Sequence, residues 1–79
     1  MSEIQSPFPG VFYRKPAPDK PNLVEVGDTV VTGQTIGVIE IMKQFNEIKS
    51  DVDGVLREFR ATNEGMVNPG DVIAVIEEE

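Results

Sequence analysis

Apolar positions along the chain come in short clusters of Val and Ile, broken by Gly, Pro, Asn and Asp. Nowhere do they hold a 3.6-residue period with helix caps. The pattern predicts an all-β domain of many short strands. A short strand is expected around Val30, between turns at Val26-Gly27-Asp28 and Thr32-Gly33-Gln34. Asn68-Pro69-Gly70-Asp71 puts Pro and Gly where a type II turn takes them. Asp51-Val52-Asp53-Gly54 reads as a further turn. From Val38 to Ile48 two extended arms flank Met42-Lys43, a hairpin whose tip carries neither Asn-Gly nor Asp-Gly. Val11, Val26, Val30, Ile36, Val38, Val55, Val67, Ile73 and Val75 are the expected core. A bulge would shift the inward set by one residue.

Composition agrees with strands. There are 11 Val and 7 Ile against 2 Leu and 3 Ala, and β-branched side chains suit a pleated surface. Seven Gly and six Pro leave no stretch free for a long helix. At 79 residues the chain has room for a single core, so residues 1–79 are expected to form one domain.

The chain also repeats itself. Val30, Gly33, Ile36, Val38, Ile39 and Glu40 recur 37 residues later as Val67, Gly70, Ile73, Val75, Ile76 and Glu77. Ser6, Gly10 and Val11 recur 44 residues later as Ser50, Gly54 and Val55. The difference, 44 minus 37, places seven extra residues of the first half between Val11 and Val30. Residues 15–22, with Pro16, Pro18 and Pro21 and no alternation, are the expected insert. Matching glycines at matching turns make this a duplication, with two similar halves packed about a pseudo-twofold axis.

Charge and missing residue types narrow the chemistry. Fourteen acidic against seven basic side chains give a net charge of −7, which disfavours nucleic acid as a partner. With no His and no Cys, a zinc site of the usual kind and a Ser-His-Asp or Cys-His set are excluded. Asp51-Val52-Asp53-Gly54 lacks the further oxygens of a calcium loop. No apolar run approaches the roughly 18–20 residues that span a bilayer. No basic patch precedes an apolar stretch near the N-terminus, so the chain is expected to be cytoplasmic, with no membrane partner. What remains is Lys43. By itself a lysine is an ordinary solvated charge, and Met42 beside it is a candidate core filler. Glu40 is either an outward strand residue, like its repeat partner Glu77, or a carboxylate presented near the lysine.

Glu40-Ile41-Met42-Lys43 resembles the Glu-Ala-Met-Lys-Met signature of biotinyl domains. Ser6-Pro7, Gly10, Phe12-Tyr13-Arg14, Pro16, Pro18-Asp19, Glu25-Val26-Gly27, Asn46, Ile48, Gly54 and Val75-Ile76-Glu77 extend the likeness to carriers of the bacterial acetyl-CoA carboxylase type. The resemblance implies a flattened barrel of two four-stranded antiparallel sheets with quasi-twofold symmetry and an acceptor lysine on a hairpin tip. It implies covalent biotin on Lys43, attached by a biotin protein ligase, with Glu40, Ile41, Met42 and Gln44 around it. The partners implied are a biotin carboxylase and a carboxyltransferase, and the carrier itself makes no bonds. The insert at 15–22 resembles the "thumb" that folds toward biotin in such carriers. Ile41 stands where the family has Ala, and Gln44 where it has Met. A lipoyl carrier shares the fold but normally has Asp before its lysine, where this chain has Met42. An unmodified barrel serving as a binding or assembly module is the other reading, favoured by Ile41 and Gln44.

Overall fold

The computed structural model describes residues 1–17 and 19–78, so Pro18 of the insert and Glu79 lie outside the described residues. Eight strands follow one another: β1 Ser2–Gln5, β2 Gly10–Tyr13, β3 Thr29–Val30, β4 Thr35–Ile41, β5 Gln44–Lys49, β6 Gly54–Phe59, β7 Gly65–Val67 and β8 Val72–Glu78. They form two four-stranded sheets, β1-β8-β6-β3 and β5-β4-β2-β7, and every pairing is antiparallel. Exchanging β1 with β5, β8 with β4, β6 with β2 and β3 with β7 turns one order into the other. These are the exchanges required by the offsets of 44 and 37.

The symmetry reaches single hydrogen bonds. Ser6 and Ser50 are both buried, and each hydroxyl donates to a carbonyl two residues on, Phe8 O and Val52 O, at 2.6 Å. The amide of Ser6 donates to Asp71 O at 2.8 Å, and that of Ser50 to Gln34 O at 2.9 Å. Gly33 and Gly70 sit in matching turns with φ of 89° and 90°, closed by Gln34 N to Val31 O and Asp71 N to Asn68 O, each 3.0 Å. That is the geometry expected of Asn68-Pro69-Gly70-Asp71.

One core lies between the sheets, built on Ile4, Phe12, Val24, Val30, Ile36, Ile39, Ile48, Leu56, Val67, Ile73, Ala74 and Ile76. Val30, Ile36, Val67 and Ile73 are in it as expected. Val11 and Val55 are only half-buried, and their neighbours Phe12 and Leu56 point inward instead. Val26 is exposed, and Val24 takes its place. The phase slips because pairing is irregular between Thr35 and Gly37, and the ladder of β1 on β8 skips Ile73, the repeat mate of Ile36. The extra residue and the one after it share a face, and alternation resumes one residue out of phase. Ile36 and Ile39 therefore both face in, while Val38 and Val75 are buried on the outer faces.

The described residues of 15–22 form no strand, and Leu23 N donates to Arg14 O at 2.9 Å across the neck of this loop. Asp53 braces a turn, its Oδ1 accepting from Thr32 N at 2.7 Å and Thr32 Oγ1 at 3.0 Å. Those donors lower its pKa. Among the described residues no helix is long and apolar enough to cross a membrane.

Ser6→Ala and Ser50→Ala each leave a partly buried carbonyl without its donor. Each is expected to lower unfolding free energy by about 1–2 kcal/mol, and by similar amounts, in denaturant melts.

Candidate functional site

Strands β4 and β5 pair from Thr35↔Lys49 to Ile41↔Gln44, leaving Met42 and Lys43 as a two-residue turn. Their φ angles are 50° and 68°, so both central residues are left-handed. Two left-handed residues match the right-handed twist of the flanking strands, which is why two-residue hairpins take this form. The usual occupants are Asn and Gly, because a Cβ in this region costs on the order of 1–2 kcal/mol. Met-Lys bears that cost twice over.

The tip shows its side chains to solvent. Met42 is 91% exposed, which removes the core-filler reading. Lys43 and Gln44 are exposed as well. Ile41 points inward and packs partly against the core, so the bulky replacement of the family's Ala is a strand residue and not part of the displayed tip.

Glu40 faces out, as does its mate Glu77, so the strand reading holds for both. The two carboxylates are held differently. Glu77 is paired with Arg57 at 2.9 Å. Glu40 accepts from the Tyr13 hydroxyl at 3.1 Å, and Tyr13 stands where the repeat places Arg57. Gly10 lets β2 approach closely, since a Cβ there would sit 2.7 Å from Glu40 O. The Tyr13 pKa is raised, first by this hydrogen bond, then by desolvation and by the charges of Glu40 and Glu64.

Side chains of paired residues share a face of a sheet. The outer face of the β5-β4-β2-β7 sheet thus carries Met66, Val11, Glu40 and Phe45 in one row, with Tyr13, Val38 and Glu47 in the next. Phe45 is 59% exposed, and its ring meets Tyr13 edge-on with centroids 6.2 Å apart. Against this face the start of the 15–22 loop encloses a cleft of about 230 Å3, lined by Tyr13, Lys15, Pro16, Glu40, Phe45 and Glu64, with Ala17 and Asn63 beside them. Asn63 accepts from Arg14 N at 2.8 Å, tying the loop's root to the segment before β7.

Of the residues read from the sequence, Glu40, Ile41, Met42, Lys43 and Gln44 come together on one hairpin, but only Glu40 reaches the cleft. Phe45, Asn63 and Glu64 were not picked out, and Lys15 enters as the first residue of the insert at 15–22. Glu64 had a signal: at the offset of 37 it aligns with Gly27. Gly27 has φ of 100° and Glu64 has 66°, so a glutamate holds a glycine's conformation. The matching bonds Gly27 N to Leu56 O, 2.8 Å, and Glu64 N to Phe12 O, 2.6 Å, show that it is the same turn.

Two expectations follow. Replacing Met42-Lys43 with Asn-Gly should raise unfolding free energy by about 1–3 kcal/mol, read from chemical denaturation; no gain would mean the turn is unstrained. Tyr13 is the sole tyrosine and there is no Trp, so ultraviolet titration reads it directly. It should ionise above the ordinary tyrosine range, and Glu40→Gln should bring it back down.

Comparison with known proteins agrees with this geometry. The biotin/lipoyl family, described as "Biotin-requiring enzyme", matches residues 2–76. The chain is 46% identical over 67 residues to the biotin carboxyl carrier protein of acetyl-CoA carboxylase from Streptococcus pyogenes, covering 85% of this chain and 40% of that protein. It is 48% identical over 63 residues to the protein of that name from a Nostoc species, covering 80% and 35%. The chain thus spans less than half the length of these relatives. In structure it superposes on the Kluyveromyces lactis urea carboxylase with a TM-score of 0.78 and 29% identity, over 96% of this chain and 6% of that one. A repeated barrel whose left-handed tip displays Met42-Lys43, matched over nearly its whole length, belongs to the biotin/lipoyl family of biotin-requiring enzymes.

Proposed function

We propose that residues 1–79 are a single carrier domain that holds biotin on Lys43 and moves it between active sites. The observation that carries this reading is the tip itself. Two non-glycine residues keep left-handed backbone, and the side chain next to the lysine is 91% exposed. Strain of this kind is kept where a surrounding structure holds it for a task. The task here is to project an amine from a rigid turn.

A biotin protein ligase would join the Lys43 ε-amine to biotinyl-adenylate, forming an amide and releasing AMP. The ammonium charge is lost, and lysine plus acyl chain become one flexible tether. A biotin carboxylase would load the tethered ring, and a carboxyltransferase would pass the carboxyl group to an acyl acceptor. Acetyl-CoA is the acceptor by likeness to the named relatives, and the cytoplasm is the expected place. The domain supplies position and effective concentration, while its partners make and break bonds. Glu40, Met42 and Gln44 surround the acceptor for the ligase to read.

The loop at 15–22 takes the part of the thumb. Its first residues wall the cleft whose other walls, Glu40 and Phe45, lie within three residues of Lys43. At about 3.3 Å per strand residue those walls are ~7–10 Å from the tip. The tether, about ten bonds long, spans ~12 Å. The cleft is smaller than the ~300–1,000 Å3 of drug-sized sites and suits a compact two-ring head.

Intact mass decides the acceptor. Incubation with biotin, ATP and a biotin protein ligase should add one biotinyl group, and Lys43→Ala should add none. Modification of Lys20 or Lys49 with Lys43 untouched would overturn the assignment. Uptake of lipoate in place of biotin would overturn the carboxylase role.

A further inference from the structure

The cleft beside the tip carries an unbalanced charge. Glu40 and Glu64 line it, and Lys15 is the one cation among its walls. On the other sheet the mate of Glu40 is neutralised by Arg57. Here Tyr13 occupies that position, and its phenol holds Glu40 by a hydrogen bond without bringing a positive charge beside it. Glu64 adds a second negative charge, at a position where Gly27 does the same backbone work without a side chain. A residue other than glycine at such a φ has a conformational cost. What Glu64 has that Gly27 lacks is a carboxylate in the cleft. The field of both carboxylates reaches the phenol, since both raise the Tyr13 pKa.

We propose that the cleft holds the biotin head while the head is neutral and expels it once it is carboxylated, with Glu40 and Glu64 supplying the repulsion. This rests on the carrier reading above. The uncarboxylated ureido ring has two N–H donors, which suit carboxylate acceptors, and an apolar body, which suits Tyr13, Phe45 and Pro16. In the loaded form one ureido N–H has become N–CO2⁻. A donor has been lost and an anion gained, and both changes oppose binding between two carboxylates. Lys15 offsets one charge of the two. The cleft is open to solvent, so the repulsion is screened and amounts to severalfold in occupancy. An empty arm is then held against the sheet, while a loaded arm swings free for the transferase.

The test follows NMR signals of Tyr13, Ala17 and the Asn63 side-chain amide in three states: unmodified, biotinylated, and biotinylated then carboxylated by biotin carboxylase with bicarbonate and ATP. Biotinylation should shift these signals, and carboxylation should return them toward the unmodified positions. Glu64→Gln should raise cleft occupancy by the carboxylated head about three- to tenfold. Glu64→Gly, which copies Gly27 and relaxes the backbone, should do the same, separating charge from strain. Signals that stay shifted after carboxylation would overturn the proposal, as would variants that release the head like the wild type. No shift on biotinylation would also overturn it while leaving Lys43 as the acceptor, because intact mass decides that independently.

Discussion

Neither half of this chain can bury its apolar face alone, and everything else rests on that constraint. Each half contributes strands to both sheets, and Phe12 and Leu56, repeat mates, are both fully buried in the one core between them. A 79-residue chain with no disulfide has only this shared interior for stability. Sheet order, matched turns and buried serines are therefore held twice over, once in each half. Strand β4, which leads into the Met42-Lys43 turn, pairs with β2 on one edge and β5 on the other. The tip thus joins an inner strand, β4, to the edge strand β5.

On a symmetric frame, function shows where the symmetry is broken. One outer face is closed by ion pairs, Arg57 to Glu77 and Arg60 to both Glu58 and Glu3. Exposed pairs of this kind are worth little to stability, so their presence is not what holds that sheet. The other outer face has Tyr13 for Arg57, a loop in place of a direct connection, and Glu64 for Gly27. Each difference falls around the same cleft. The hairpin β4–β5 has its counterpart in the pair β8–β1, which is open between Glu78 and Ser2. Of the two equivalent strand pairs, β4–β5 is the one closed by a two-residue turn.

Much of the fold was legible because it depends on local chemistry. Strand content follows from Val and Ile, the type II turn from Pro69-Gly70, and the duplication from glycines and serines at matched positions. The inward phase was not legible. Alternation runs unbroken in β2, yet Phe12 and not the expected Val11 faces in, and bulges at Ile36 and Ile73 exchange the faces of Val38 and Ile39, and of Val75 and Ile76. A bulge is a property of the pairing, and strand sequence alone carries little trace of it. The hairpin at Met42-Lys43 was legible as a motif, since its residues are contiguous. The cleft was not, because it gathers residues from separated segments, although Tyr13, Glu64 and the insert at 15–22 each depart from the repeat.

The tip joins two demands that ordinarily conflict. A two-residue hairpin in a twisted sheet needs left-handed backbone, which favours Asn and Gly. An acceptor needs a long side chain that an enzyme can reach, which Asn and Gly do not provide. Here the second demand prevails at the tip, and the first is met by the strands, whose ladder runs without a break from Gly37↔Ile48 to Ile41↔Gln44. Ile41 adds to this hold by packing inward just before the turn. Glu64 follows the same logic on the far side of the cleft, with its left-handed backbone held by one hydrogen bond, from its amide to Phe12 O. Among the described residues, left-handed backbone outside glycine therefore lies at Met42, Lys43 and Glu64, and the duplicated core is what allows it to stay there.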